Sequence, residues 1–170
     1  GIGGGIAAYK VASLVSRLVQ QGHQVDTVLT ASAGKFVGAA TFAALCGRPP
    51  VTDAFDARFP LGPHIELAEQ ADLLVVAPAT ARCLASCAMG LADDLIATLY
   101  LACDCPVLMA PAMSSSMWDK PAVQRNVSTL AGDGVQFVGP ASGWLSCRKQ
   151  GVGRMAEPED IIQVVASLLS

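Results

Sequence analysis

The 170-residue sequence predicts an α/β fold, a parallel sheet with helices on both faces, and three observations carry that prediction. Short β-branched and leucine runs alternate with longer stretches of helical periodicity. The run Leu73–Ala77 is apolar apart from no position at all, as strands buried on both faces are. After successive runs the chain turns through small and hydroxyl residues: Thr30-Ala31-Ser32, then Pro78-Ala79-Thr80-Ala81, then Pro111-Ala112-Met113-Ser114-Ser115-Ser116. Such residues suit the carboxyl ends of parallel strands, where open α/β sheets bind ligands.

Each element follows in order. The opening loop Gly1-Ile2-Gly3-Gly4-Gly5 normally follows a strand in this fold class, so a first strand is expected ahead of it. Val11, Leu14, Val15 and Leu18 recur at i, i+3, i+4, i+7 and predict a helix from Ile6 to Gln21, ended by Gly22. A strand is expected over Val25–Leu29 and a helix over Ala33–Leu45, stopping before Gly47 and Pro49-Pro50. Val51–Pro63 lacks periodicity and reads as an irregular connection, with order resuming at His64. Next come the strand Leu73–Ala77, helices near Ala81–Met89 and Ala92–Cys103, and the strand Val107–Ala110. A helix over Trp118–Ala131, a strand over Val135–Val138, a glycine-rich segment over Ala141–Gly153 and a helix over Glu157–Leu169 complete a single domain of residues 1–170.

Hydrophobic residues make up 52% and charged residues 15% of the chain, yet no apolar run approaches the roughly 18 residues that cross a bilayer. Part of the apolar excess is assigned to subunit interfaces. A net charge of −3 offers no general attraction for nucleic acid or an anionic membrane, and neither partner is expected. The six cysteines read as reduced and cytoplasmic, because the amino terminus has no signal-peptide layout. Cys83/Cys87 and Cys103/Cys105 lack the usual zinc-knuckle spacing and lie in apolar stretches, so no metal is assigned.

The ligand-binding signals point to a mononucleotide. Gly1-Ile2-Gly3-Gly4-Gly5-Ile6 lacks the third glycine of G-x-G-x-x-G. Where a dinucleotide site places an acid for the ribose, this chain has Thr30 and Ser32, which suit a phosphate better. Any one hydroxyl cluster is explained as well by helix capping; three at successive strand ends are not. His64 is a candidate acid or base, with a loop or cap histidine as the alternative, and His23 reads as a solvated turn residue. Cys147 differs from the other cysteines in its polar, cationic and glycine neighbours. The segment around it reads as a mobile flap, and Arg148 and Lys149 favour a thiolate there.

These motifs resemble the homo-oligomeric flavin-containing cysteine decarboxylases over nearly the whole chain. The similarity runs through Gly4-Gly5-Ile6-Ala7-Ala8-Tyr9-Lys10, His64-Ile65-Glu66-Leu67, Ala77-Pro78-Ala79-Thr80-Ala81, Pro111-Ala112-Met113, and Ala141-Ser142-Gly143 through Cys147 to Gly153-Arg154-Met155-Ala156-Glu157-Pro158. The resemblance implies a three-layer Rossmann-like (flavodoxin-like) fold and FMN as cofactor. It implies that Gly4, Gly5, Ile6, Thr30, Ser32, Phe36, Ala79 and Thr80 bind the cofactor. His64 and Cys147 would be catalytic, and Met113 and Ser114 would bind substrate. It also implies assembly as a trimer or a dodecamer of trimers.

The implied chemistry is decarboxylation of 4'-phosphopantothenoylcysteine to 4'-phosphopantetheine in coenzyme A biosynthesis. The flavin oxidises the thiol to a thioaldehyde, carbon dioxide leaves, and re-reduction with a proton from the flap cysteine gives the saturated thiol. Two alternatives stay open: a peptidyl-cysteine decarboxylase of a modified-peptide pathway, which stops at the enethiol and lacks the flap cysteine, and a non-catalytic flavin-binding regulatory homologue. Ser114 stands where the family's clamp has asparagine, and Arg148 stands where glycine is common. The serine lacks the amide donor, and the cation would hold the neighbouring thiol ionised when a proton donor is needed.

Overall fold

A computed structural model describes residues 1–170. Strands β1 (Leu74–Ala79), β2 (Val107–Pro111) and β3 (Gln136–Phe137) form a parallel sheet in that order, with Leu74 beside Val107 and Leu108 beside Gln136. Backbone bonds extend the sheet past β1. Ala77 N–H donates to Gly1 O at 2.9 Å, Ile2 N–H to Val28 O at 2.8 Å, and Leu29 N–H to Val51 O at 2.9 Å. Ile2 bridges Leu29, and Val28 bridges Val51, both in parallel. The spatial order of extended segments is thus Val51, Val28–Leu29, Gly1–Ile2, β1, β2, β3. In chain order that is third, second, first, fourth, fifth, sixth, so the winding reverses between Ile2 and β1. Chains leave such a reversal point in opposite directions and open a crevice at the strands' carboxyl ends.

Two apolar layers flank the sheet because successive strand residues point to opposite faces. Leu74, Val76, Val107 and Met109 pack with α3 (Pro63–Gln70), α4 (Ala81–Ala88), α5 (Leu95–Ala102) and α7 (Pro121–Gly132). Ala77, Leu108 and Ala110 pack with α1 (Ala8–Gln20), α2 (Ala39–Cys46) and α8 (Pro158–Leu168). In α1 the predicted stripe Val11, Leu14, Val15 and Leu18 is the buried face. Leu84, Leu108, Leu130 and Ile161 are wholly buried, each stabilising the fold by about 1.5–3 kcal/mol relative to exposure.

Several element boundaries differ from expectation. The strand expected over Val25–Leu29 is bridged only at Val28 and Leu29. Beside its first residues lies a cavity of about 520 Å³ between Gln24–Val28 and Leu73–Val75, floored by Val11, Leu14 and Leu18. The helix expected over Ala33–Leu45 is a 3₁₀ turn at Ala33–Lys35 followed by α2, because Gly38 is extended (φ −67°, ψ 150°). The helix expected over Trp118–Ala131 is also two, the short α6 (Ser115–Trp118) and α7. Pro121 opens α7, where its missing N–H costs nothing, and could not continue α6. The glycine-rich segment is an antiparallel hairpin of β4 (Ala141–Trp144) and β5 (Gln150–Arg154).

Candidate active site at the carboxyl ends of the strands

The glycine loop sits in the crevice at the reversal point. A Cβ on Gly3 would lie 2.3 Å from Pro78 O, and one on Gly4 2.2 Å from Ser32 Cβ, so side chains there would drive apart the loops after β1 and Leu29. Gly5 faces Thr80 Cγ2 at an ordinary 3.7 Å. The structure thus brings Gly4 beside Ser32, and Gly3 and Gly5 beside Thr80, which follows Ala79 in the chain. Beyond this loop α1 starts at Ala8 without any side-chain cap; Ala8, Tyr9 and Lys10 N–H donate back to Gly5, Ile6 and Ala7 O, and the Ile6 and Ala7 N–H groups just ahead of the helix have no partner and are open to an anion. Ser32 is exposed and caps nothing.

Two expected phosphate ligands are otherwise engaged. Thr30 Oγ1 donates to Ile2 O at 3.3 Å and accepts from Ala33 N–H at 3.1 Å. Thr80 caps α4, accepting from Cys83 N–H at 3.3 Å, and its hydroxyl also faces Cys83 Sγ at 3.3 Å. For both threonines the capping reading describes the hydroxyl, which shapes the loop around the crevice. Ile6 and Phe36 stand about half exposed at its rim, 53% and 48% respectively. Side chains this apolar offer a surface for a flat ring.

Met113 and Ser114 follow β2, held to the sheet through Ala112 N–H donating to Ala79 O at 3.1 Å. The hairpin is seated on them: Met113 N–H donates to Gly153 O at 2.9 Å. Gly153 (φ 145°) lies so close that a Cβ would be 2.2 Å from Met113 O, and one on Gly151 would be 2.4 Å from Ser115 Oγ. Ser115 Oγ is buried there with no hydrogen-bond partner. Ser114 Oγ pairs with Ser116 Oγ at 3.2 Å. Cys147 is exposed at the hairpin's turn, which Leu145 and Lys149 close by a 2.8 Å backbone bond. Arg148 takes φ 61° there, the left-handed conformation that glycine adopts at least cost.

His64 lies on a different element from these residues. It lies in the first turn of α3, with its Cε1 3.2 Å from where a Cβ on Gly62 would be, and no hydrogen bond joins it to the other candidates. Cys83 and Cys87 are buried on α4, and Cys103 and Cys105 flank the turn into β2. Burial pushes the Cys87 thiol up to about 12; burial, then the neighbouring Cys105, does the same for Cys103. No cluster of three or more His, Cys, Asp or Glu side chains is arranged to hold a metal ion.

Sequence reasoning missed three charged residues. Lys10 of α1 donates from Nζ to Glu157 Oε1 at 2.9 Å, and Arg154 of β5 donates from Nη2 to the same oxygen. The signal lay in the two quoted motifs that end in Lys10 and that run from Gly153 to Pro158. Neither had been given a role.

The Flavoprotein family profile matches residues 1–170. The chain is 49% identical over 169 residues to the coenzyme A biosynthesis bifunctional protein CoaBC of Mycobacterium tuberculosis (strain ATCC 25618 / H37Rv), covering 99% of this chain and 40% of that protein. It is 46% identical over 164 residues to the Bacillus subtilis (strain 168) protein of the same name, covering 96% and 40%. The chain thus spans about two fifths of the length of these curated relatives. Among solved structures it is similar to the FMN-dependent cysteine decarboxylase SpaF, with TM-score 0.87 and 34% identity over 99% of this chain and 92% of that one. A cysteine-to-serine variant of PPC decarboxylase complexed with pantothenoylaminoethenethiol matches with TM-score 0.85 and 31% identity over 98% and 93%.

Proposed function

The chain belongs to the Flavoprotein family, and on that premise we propose that it binds FMN and decarboxylates 4'-phosphopantothenoylcysteine to 4'-phosphopantetheine in coenzyme A biosynthesis. The observation that carries this is the seating of the Cys147 hairpin on the Met113–Ser115 segment, through the Met113 N–H to Gly153 O bond of 2.9 Å. A thiol on a cover over the clamp is what the saturated product requires. The similarity to CoaBC proteins and to PPC decarboxylase supports the same substrate.

The residues fit the cofactor. Glycines 3 and 4 let two loops close to contact around a helix start that has no side-chain cap, a cradle for the phosphate. The exposed Ser32 hydroxyl adds a donor. Ala79 leaves room for a flat ring, and Ile6 and Phe36 supply apolar contact. Thr30 and Thr80 act by holding the loops. When bound, the flavin would supply a two-electron acceptor for oxidation of the substrate thiol to a thioaldehyde, whose C=S bond is the electron sink that a cysteine carboxylate otherwise lacks.

The remaining work belongs to side chains. Met113 and Ser114 hold the substrate, with Ser114 and Ser116 offering paired hydroxyls where the family has an amide. His64 acts as the base at the substrate thiol, from a subunit arrangement that brings α3 to the site. Cys147 Sγ delivers the proton to the decarboxylated product while the hairpin excludes water. That arrangement is a homo-oligomer, a trimer or larger, in the cytoplasm. It is supported by the exposure of Phe55, Leu61 and Met89, each at least 65% exposed. No helix is long and apolar enough to cross a membrane.

The test is a visible spectrum followed by turnover. Purified protein is expected to be yellow and to release carbon dioxide from phosphopantothenoylcysteine with phosphopantetheine as product. Cys147→Ser is expected to release carbon dioxide at an undiminished first turnover and to accumulate enethiol. Colourless protein that takes up no FMN would overturn the proposal, and activity confined to peptides ending in cysteine would transfer it to the peptide branch.

A further inference from the structure

We propose that Glu157 is a positioning residue that latches the Cys147 hairpin to the first helix, one carboxylate oxygen serving both sides; the catalytic part of this rests on the decarboxylase reading above. Glu157 is the residue just before α8, but its side chain does not cap that helix. Oε1 instead accepts from Lys10 Nζ at 2.9 Å and from Arg154 Nη2. Two regions remote in sequence meet there: the helix that opens from the glycine loop, and the adjoining end of the hairpin and start of the last helix, where Arg154 and Glu157 are three residues apart.

Burial makes the Lys10 side of this contact exacting. Its side chain is only 12% exposed, and Glu157 is its single ion-pair partner, with Met155 O a long 3.5 Å away. An ammonium so enclosed needs its anion. The Arg154 side is exacting sterically. The arginine crosses the opposite strand at Gly143, where a Cβ would stand 3.0 Å from Nη1 and 3.2 Å from Cδ. A side chain at 143 would crowd that path and oblige the arginine to shift. Arg154 pairs with Ala141 at the root of the hairpin, and its neighbour Gly153 is pressed against Met113 O. Whatever fixes Arg154 therefore fixes the angle at which the hairpin lies over Met113 and Ser114. Lys10 ties that root to the helix beginning at the cofactor loop, so the proton donor and the phosphate cradle share one frame.

An ordinary surface ion pair would contribute little beyond local stability. A latch instead changes the hairpin's position and leaves the two cores alone. The experiment compares FMN-loaded wild type, Glu157→Gln and Glu157→Asp by amide hydrogen exchange and by product analysis. The expected result for Glu157→Gln is an unchanged visible spectrum, exchange over residues 141–154 faster by about three- to fivefold, the scale of losing a partly exposed ion pair, and unchanged exchange over α4 and α5. Carbon dioxide release should persist while the share of product leaving as enethiol rises, and Glu157→Asp should restore most of both. Unchanged exchange over 141–154, or faster exchange with the same share of enethiol, overturns the latch. If wild type takes up FMN but releases no carbon dioxide, the decarboxylase reading fails, and the exchange comparison alone decides whether the hairpin is latched.

Discussion

Arg148 holds φ 61° in the turn that carries Cys147, a conformation that costs a side-chain-bearing residue about 1 kcal/mol and glycine almost nothing. Arg148→Gly is accordingly expected to leave stability unchanged or raise it by up to about 1 kcal/mol, whereas the β-branched Arg148→Val should lower it by at least about 1 kcal/mol. Urea midpoints of the two variants check this, and equal midpoints would refute the strain. Thiol chemistry separates the cysteines on the same scale. Cys147 is exposed, whereas Cys87 and Cys103 have thiols pushed up to about 12 and hold about one part in ten thousand as thiolate at pH 8. Iodoacetamide at that pH should label Cys147 first and leave Cys83, Cys87 and Cys103 unmodified in the folded protein, as peptide mass mapping would read.

Glu157 titrates in a definite direction. Lys10, then Arg154, holds its carboxyl below the usual range, so its contribution to stability is full above the unfolded value and lost as pH falls through the depressed folded value. The stability gap between wild type and Glu157→Gln, small because the carboxylate is partly exposed, should be constant near neutrality and close on acidification below the ordinary carboxylate range. A gap that widens in acid would reverse the assigned sign.

Among elements, the hairpin is the one whose geometry depends on glycine. Gly153 at φ 145°, with Met113 O 2.2 Å from where a Cβ would stand, tolerates no side chain. Gly153→Ala is expected to cost about 1–3 kcal/mol and to lift the hairpin from the clamp. Loss of protection at the Met113 amide in hydrogen exchange is the signature; retained protection would show that the strand absorbs the methyl group elsewhere. The helices teach a different lesson. The sequence located α1, α4, α5 and α8 to within a few residues, α1 and α8 by a single buried stripe and α5 by an apolar run. It missed the breaks at Gly38, whose backbone is extended, and at Pro121, which opens a new helix.

For the whole molecule, the two apolar layers meet at β2, whose Leu108 and Met109 point into opposite cores and are both wholly buried. Leu108→Ala is expected to cost about 2–5 kcal/mol, read as a lowered urea midpoint with an unchanged slope. The α/β class, the carboxyl-end loops and the distinct setting of Cys147 were legible in the residues themselves. Their signals are local: alternation of apolar runs, glycines in a tight loop, a cysteine among cations. What the tertiary structure alone decided is where the remote groups meet. It engaged the Thr30 hydroxyl with Ile2 and Ala33, turned the Thr80 hydroxyl to cap α4, and closed one oxygen of Glu157 between Arg154 and Lys10, the latter 147 residues away. Such meetings depend on the order in which strands pair and on what each loop must avoid, and no short stretch of sequence carries that information.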